Sequence, residues 1–167
     1  MVTAILSAIA LIVSVATAWR QSRQGARATL LPVVVDVLRE FRSTEFKCHQ
    51  AMLRRVPCDP LDETVGFEGI ADPDVRESAR YVSHFYDNVG LLIASGIATP
   101  EPIVAFLGNT ANRAWETLCP YIKTAREQST GLPYYQEFFE HLVSLSGPRE
   151  VEAALDRMDL KTLNGRP

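Results

Sequence analysis

Histidines and carboxylates at helical spacing are the residues of this chain best suited to bind a metal ion or to move a proton. His84 and Asp87 are three residues apart, and Glu137 and His141 are four apart, so each pair shares one helix face. The third histidine is His49, and the sequence contains neither HExxH nor the ExxH pair of di-iron bundles. Such pairs are also common on solvated helix faces. We therefore predict no metal site and no cofactor.

A cysteine beside a histidine is the second arrangement to weigh, because a histidine can activate a thiol as a nucleophile. Cys48 and His49 are adjacent in the chain. Adjacent helical residues point about 100° apart, so neither side chain easily activates the other. The sequence has no GxSxG elbow, no P-loop and no GxGxxG fingerprint. We identify no catalytic residue, and the sequence leans against an enzyme.

An arginine at the end of an apolar stripe is the most informative charged residue. Trp115, Leu118, Ile122 and Arg126 follow each other at steps of three, four and four residues, so they share one helix face. An arginine placed there needs a carboxylate partner. We predict that Asp87, on the inner side of the preceding helix, meets Arg126 across the two helices. We favour a structural pair that fixes helix register, and a catalytic pair is the alternative.

The elements that must position these residues are predicted to be helices, because helical apolar periodicity recurs and strand patterns are almost absent. We predict an all-α fold: an N-terminal transmembrane helix followed by an antiparallel bundle of four to five helices. Capping residues and prolines predict where helices begin, and glycines predict where they end. The predicted starts are Asp72–Pro73, Thr99–Pro100, Pro133 and Gly147–Pro148, and the predicted ends are Arg54–Arg55, Gly96 and Gly131. Pro32 either starts a new helix or kinks a long one, and Pro120 is expected to kink its helix.

Two of these helices have apolar faces that need interpretation. Glu45 interrupts the apolar stripe of the helix that follows Pro32, and we expect its neighbour Phe46 to take the inner position. The helix predicted to open at Pro133 has apolar side chains from Tyr134 onward. Both patterns predict amphipathic helices that pack on a shared core.

Residues 57–72 form the least regular stretch of the chain, PCDPLDETVGFEGIAD. Two prolines, two glycines and clustered acids predict a loop, and the loop is longer than a typical connection. A functional or mobile segment is one interpretation. We favour a surface excursion in which Phe67 and Ile70 pack back on the core.

Residues 1–19 contain no charged side chain, although the chain as a whole carries 17 basic and 20 acidic residues. A helix of this length spans about 28 Å, close to the roughly 30 Å of a bilayer core. Arg20, Arg23 and Arg27 follow on one helix face. The positive-inside rule then predicts a single-pass signal anchor in the cell membrane, with a short outer N-terminus and a cytoplasmic C-terminal part. A signal peptide cleaved near Ala18 is the alternative, but no basic residue precedes the apolar run.

This reading divides the chain into four parts. They are a transmembrane helix at 1–19, a basic juxtamembrane helix at 20–31, a cytoplasmic helical domain at 32–158 and a flexible tail at 159–167. Residues 20–56 hold 8 basic and 3 acidic residues, whereas residues 57–167 hold 9 and 17. Anionic lipid would attract the basic part, and the acidic remainder argues against a nucleic-acid partner. The odd number of cysteines and the lack of a CxxC motif agree with a reducing compartment.

Three segments of the chain carry a resemblance to a known family. They are Tyr81–Ala98 (YVSHFYDNVGLLIASGIA), Trp115–Ile122 (WETLCPYI) with Arg126, and Tyr134–Leu142 (YYQEFFEHL). Together with the leading apolar segment and its arginine tail, they resemble the bacterial domain-of-unknown-function family 4760, small uncharacterised proteins with one N-terminal membrane helix, over most of the chain. Such sequences often carry Glu where this chain has Asp87. The resemblance implies a membrane-anchored helical domain and no known activity, so it assigns no functional residue.

The sequence therefore favours a non-catalytic, membrane-tethered helical interaction module. Its expected partners are membrane lipid and either another protein or a second copy of itself. One alternative is a ligand sensor or enzyme with a pocket between helices that uses Asp87, Arg126, His84 or His141. A lipid-surface sensor that acts through the arginine-rich juxtamembrane helix is the other alternative.

Overall fold

The computed structural model describes residues 32–57, 66–128 and 133–158, together with Ser14. Within these ranges every regular element is helical and no strand occurs, so the described chain is all-α as predicted. The chain divides into two units, Met1–Asp36 and Val37–Pro167. Residues 32–36 of the first unit are helical, and all elements considered below belong to the second unit.

The described part of the second unit contains six helical stretches and two 3₁₀ turns. They are α1 (37–42), α2 (Thr44–Met52), α3 (Pro73–Ala94), α4 (Pro100–Gln128), α5 (Glu137–Ser144) and α6 (Pro148–Arg157), with 3₁₀ turns at Leu53–Arg55 and Gly66–Gly69.

Helix α2 begins at a serine cap. The Ser43 hydroxyl accepts a hydrogen bond from the main-chain N–H of Phe46 at 3.0 Å, which satisfies a donor that has no partner inside the helix. Phe46 is fully buried and Glu45 is exposed, which confirms that Phe46 takes the inner position.

Helix α3 begins and ends where its capping residues predict. The Asp72 carboxylate accepts hydrogen bonds from the N–H groups of Asp74 and Val75, and Pro73 is the first helical residue. Beyond the last turn, Gly96 has a φ of +70°, a left-handed conformation that glycine adopts without a Cβ penalty.

Helix α4 runs from Pro100 to Gln128 with Pro120 inside it. Proline lacks an N–H, so one main-chain bond of the helix is missing there, yet the helix continues on both sides. Its fully buried residues include Leu107, Leu118 and Ile122, which extend before and after the proline.

Helix α5 begins four residues later than predicted, at Glu137 and not at Pro133. Gln136 has a φ of +59°, and a left-handed residue cannot continue a right-handed helix, so residues 133–136 form turns. Tyr134 is consequently 74% exposed and does not take part in the apolar face expected of it. Phe139, by contrast, is fully buried.

The main core joins α1 to α5 and the 3₁₀ turns through apolar and aromatic side chains, whereas a separate small cluster of Val104, Val151 and Ala154 packs α6 against α4. Helix α3 packs against α5 and α2, whereas α4 packs against α6, α5 and the Gly66–Gly69 turn. Phe46 and Phe85 have ring centroids 4.4 Å apart, and Tyr86 stacks on Phe139 at 5.2 Å. Phe67 and Ile70 are buried, which agrees with the interpretation that this segment packs back on the core.

None of the helices in the described ranges is both long and apolar enough to cross a bilayer. Apart from Ser14, the predicted membrane segment lies outside the described residues, and so do the whole juxtamembrane helix with Arg20, Arg23 and Arg27, and the tail at 159–167.

Candidate functional site

Arg126 fastens the segment that leads into α5. Its Nε–H donates to the main-chain carbonyl of Tyr135 at 2.7 Å, and its Nη1 lies 2.6 Å from a carboxylate oxygen of Glu140. The Arg126 side chain is 19% exposed, while that of Glu140 is half exposed. Its Nη2 is buried and has no hydrogen-bond partner in the described part of the chain. The arginine therefore has the carboxylate partner that its apolar position requires, but that partner is Glu140.

Asp87 holds the same helix from the other side. Its Oδ1 accepts a hydrogen bond from the main-chain N–H of Phe139 at 2.9 Å. Phe139 lies in the first turn of α5, where N–H groups have no partner inside the helix. The cap residue of this helix, Gln136, makes no side-chain capping bond. Asp87 thus caps α5 from α3, and its negative charge suits the positive end of the helix.

These contacts replace the predicted direct pair between Asp87 and Arg126. Arg126 is engaged by Tyr135 and Glu140, and Asp87 by Phe139, so the two residues hold α5 separately and form no ion pair with each other. The correction has a physical reason. The sequence pattern predicted only an apolar helix face at the start of α5. Main-chain N–H groups without a partner inside the helix lie there as well, and one of them binds the Asp87 carboxylate. We call these five residues the α5 junction.

The predicted packing residues of α4 adjoin this junction. Leu118 and Ile122 are fully buried, and Trp115 is partly buried. The Trp115 ring meets Phe139 edge to face at 5.0 Å between centroids, a favoured aromatic geometry. One face of α4 thus contacts α5 through Trp115 and Arg126.

The histidines occupy separate places. His49 stacks on Tyr81 at 4.4 Å, and its Nδ1 lies 3.0 Å from the Ser78 hydroxyl. His84 Nε2 lies 3.4 Å from the Tyr135 hydroxyl, and His141 is exposed on α5. Across residues 32–57, 66–128 and 133–158, no group of three or more His, Cys, Asp or Glu side chains is arranged to hold a metal ion.

Among the residues that the structure describes, three ionisable side chains have a displaced pKa. Burial raises the pKa of Tyr86 to about 12, with the Thr110 hydroxyl acting in the opposite direction. Burial and then the Glu40 carboxylate raise the pKa of Tyr81. Hydrogen bonds from Arg80 and then Arg76 lower the pKa of Glu68. Each shift moves the pKa away from neutral pH, so none of these three groups is poised for proton transfer there.

A cleft of about 480 Å³ lies between α2 with its following turn and the middle of α4. We call it the basic cleft, because its lining contains three cationic side chains and no carboxylate. Its polar lining residues are Lys47, Gln50 and Arg54 on one side and Thr110, Arg113 and Thr117 on the other.

Sequence reasoning did not identify the basic cleft, although part of the signal was present. Lys47 and Arg54 are seven residues apart, so they lie on one face of a helical stretch. Thr110, Arg113 and Thr117 follow each other at steps of three and four along α4. Each face looks like ordinary solvated surface alone, and only the packing of the helices brings them together.

A second cleft, of about 430 Å³, lies between the start of α4 and α6. Side chains of both charge signs line it, and Arg157 bonds to Glu101 across it at 3.5 Å. Neither of these two clefts is lined by Asp87, Arg126 or the histidines of the pocket alternative.

The chain matches the family described as Domain of unknown function (DUF4760) over residues 4–144. It belongs to the DUF4760 family. No curated protein and no solved structure matches it.

The family assignment confirms the resemblance stated from sequence. The DUF4760 match covers the α5 junction and both sides of the basic cleft, and it stops at residue 144, the last residue of α5. Helix α6 and the lining that it gives to the second cleft therefore lie beyond the matched part of this DUF4760 protein.

Proposed function

We propose that this protein is a membrane-tethered helical interaction module that acts by binding and not by catalysis. The observation that carries the proposal is the α5 junction. Asp87 and Arg126 are the predicted inter-helix pair with a catalytic alternative, and Asp87 Oδ1 and Arg126 Nε and Nη1 bond instead to the main chain and to Glu140. Side chains bonded in this way position α5, which is a structural role.

The membrane tether rests on the sequence alone. The uncharged segment 1–19 and the arginines at 20, 23 and 27 support a single-pass anchor with the helical unit on the cytoplasmic side. Reporter fusions test this topology. Fused to the C-terminus, a reporter that works only in the cytoplasm should be active, whereas activity only of a reporter that works outside the membrane would contradict the proposal.

Exposed apolar side chains around α5 support the binding part of the proposal. Tyr134 is the most exposed of the large apolar residues that the structure describes, and Phe138 and Leu91 are also exposed. Gly90, which precedes Leu91, packs against the main chain of Phe138. Aromatic side chains of this kind are enriched in protein–protein interfaces.

Photocrosslinking in membranes tests the interaction. A photoreactive phenylalanine analogue replaces Tyr134 in the full chain, and a matched control carries it at Glu152, an exposed position on α6. We expect reproducible adducts at Tyr134 and few at Glu152. Mass spectrometry, with two differently tagged copies in one cell, separates self-association from another protein. Recovery of monomer alone at both positions would contradict an interaction module.

The lipid-surface sensor remains a separate proposal that rests on Arg20, Arg23 and Arg27. Liposome binding by the segment 20–56, compared with a version in which the three arginines are glutamine, measures its contribution. A sensor predicts binding that needs anionic lipid and those arginines. Equal liposome binding by the wild-type segment and its glutamine version would contradict the lipid-sensor proposal.

A further inference from the structure

The three cationic side chains of the basic cleft form no ion pair with any residue that the structure describes. Among the described residues, no carboxylate lies within 4.0 Å of Lys47, Arg54 or Arg113. Other arginines of the same helical unit do have such partners, including Arg55, which pairs with Asp72 at 2.6 Å. Among the described residues, carboxylates therefore pair with several other arginines of this unit but with none of the three cations in the cleft.

The rest of the lining is suited to an anion with an apolar portion. The Gln50 side chain makes no hydrogen bond within the described residues, so its amide N–H groups remain available as donors. The hydroxyls of Thr110 and Thr117 donate to carbonyls of α4 itself. Leu53 and Ala114 are buried and give the cleft an apolar floor.

We propose that the basic cleft binds a small molecule or lipid headgroup that carries a phosphoryl group. A phosphate brings a charge of about −1.5 to −2 and three acceptor oxygens, so it matches several cations at one place better than a single carboxylate does. Arginine guanidinium groups bind phosphate through two parallel hydrogen bonds, and lysine does so as a point charge. The volume of the cleft is in the range of small-molecule sites.

The phosphoryl group has two possible sources with the same chemistry. A soluble phosphate ester would reach the cleft from solution. A phospholipid headgroup would reach it only if the helical unit lies close to a bilayer. The binding chemistry does not depend on the proposed interaction with a protein partner, so either proposal can fail while the other stands.

Calorimetric titration of sodium pyrophosphate into the full chain, held in phosphatidylcholine nanodiscs, tests the site. We expect saturable binding that weakens as salt is raised. Arg54→Gln and Arg113→Gln should each weaken binding about tenfold or more, because each removes a charge-assisted hydrogen-bond donor. Arg149→Gln removes an exposed arginine outside the cleft and should leave the affinity unchanged.

Two further measurements complete the test. Circular dichroism must show that each variant keeps the wild-type helix content. Arg113→Lys keeps the charge but loses the two-pronged geometry, so its affinity should fall between those of the wild type and Arg113→Gln. No saturable binding of pyrophosphate, or an equal loss in Arg149→Gln, would overturn the proposal. Tighter binding of an oligoglutamate peptide than of pyrophosphate would also overturn it and assign the cleft to an acidic protein segment.

Native mass spectrometry then distinguishes the two sources of phosphate. The full chain is released from nanodiscs that contain phosphatidic acid, and the retained lipid molecules are counted. Retention by the wild type and its loss in Arg113→Gln assign the cleft to a headgroup. Equal retention by both, with pyrophosphate binding still dependent on Arg113, assigns it to a soluble phosphate ester.

Discussion

Gly90 of α3 lies directly against the main-chain carbonyl of Phe138 in α5. A Cβ built on Gly90 would overlap the carbonyl oxygen and come within 2.5 Å of the carbonyl carbon. Real Cβ atoms do not approach backbone atoms that closely, and a backbone group cannot swing aside as a flexible side chain can. The hydrogen bond that the Phe139 N–H donates to Asp87 Oδ1 lies next to this contact in sequence. The close packing at Gly90 and the cap from Asp87 therefore both hold α3 against α5.

Replacing Gly90 with alanine should destabilise the protein, against the usual preference of helices. Alanine in a helix interior is normally favoured over glycine by about 1 kcal/mol. The overlap with Phe138 reverses that sign, and we expect a net loss of about 1–3 kcal/mol in the free energy of unfolding. Urea unfolding followed by circular dichroism measures it. Wild-type or higher stability of Gly90→Ala would show that α3 and α5 do not pack this closely.

Gly96→Ala is the matched control for this substitution. Gly96 has a left-handed φ and no heavy atom within 4 Å of an added Cβ. Its replacement should cost about 1 kcal/mol through backbone strain alone, without any effect on α5. Hydrogen exchange of α5 amides separates the two cases, because only Gly90→Ala should reduce their protection.

Removing the cap that Asp87 gives to α5 should loosen that helix. Asp87→Ala leaves the Phe139 N–H without its acceptor, which costs about 1–3 kcal/mol. Asp87→Asn keeps an oxygen at the same place but loses the charge, so it should cost less. Exchange of the Phe139 amide, followed by NMR, is the local measurement. Unchanged protection in Asp87→Ala would contradict the capping role.

Arg126 should matter more for stability than its partner Glu140. Arg126→Ala loses a charged hydrogen bond to the Tyr135 carbonyl as well as the ion pair, for about 1.5–3 kcal/mol. Glu140→Ala loses only the ion pair between its own half-exposed carboxylate and Arg126. Exposed ion pairs contribute about 0.2–1 kcal/mol to stability. A double-mutant cycle measures the coupling between the two residues. A cost for Glu140→Ala as large as that for Arg126→Ala would contradict this division.

The Glu68 carboxylate should make the free energy of unfolding depend on pH in the acidic range. Arg80 and Arg76 lower its pKa in the folded state, so the charged form is favoured by folding. The stabilisation is present above the unfolded pKa and is lost as pH falls through the lower folded pKa. Carbon-13 NMR titration should show a pKa below the usual value of 4.5.

The arginine variants supply the control for that titration. Arg80→Gln should move the Glu68 pKa back toward its usual value by more than Arg76→Gln does, because the Arg80 hydrogen bond is the larger cause. The whole effect should shrink in high salt, since the pair is exposed to solvent. A Glu68 pKa that is indifferent to both substitutions would exclude the pairing.

Local signals in the sequence predicted most helix boundaries. The cap at Asp72, the left-handed glycine at position 96 and the inward place of Phe46 all follow from interactions within a few residues. The start of α5 could not be predicted from such local signals. Pro133 favours a helix start, but the left-handed backbone at Gln136 delays it to Glu137.

The partners of charged residues were beyond what periodicity can determine. The pattern showed that Arg126 would need a carboxylate, and that requirement holds because its side chain is mostly removed from water. Which carboxylate it meets depends on where α5 lies. Asp87 likewise bonds to a main-chain N–H that no side-chain pattern reveals.

By itself, the sequence determined the helical fold class and the uncharged segment 1–19, because local periodicity and composition encode them directly, and its similarity to the family over residues 4–144 determined the family. Tertiary structure alone decided that Asp87 caps α5, that Glu140 pairs with Arg126, and that Lys47, Arg54 and Arg113 line one cleft. The reason is physical. These relationships join residues from different helices, and their distances are set by how the helices pack against each other.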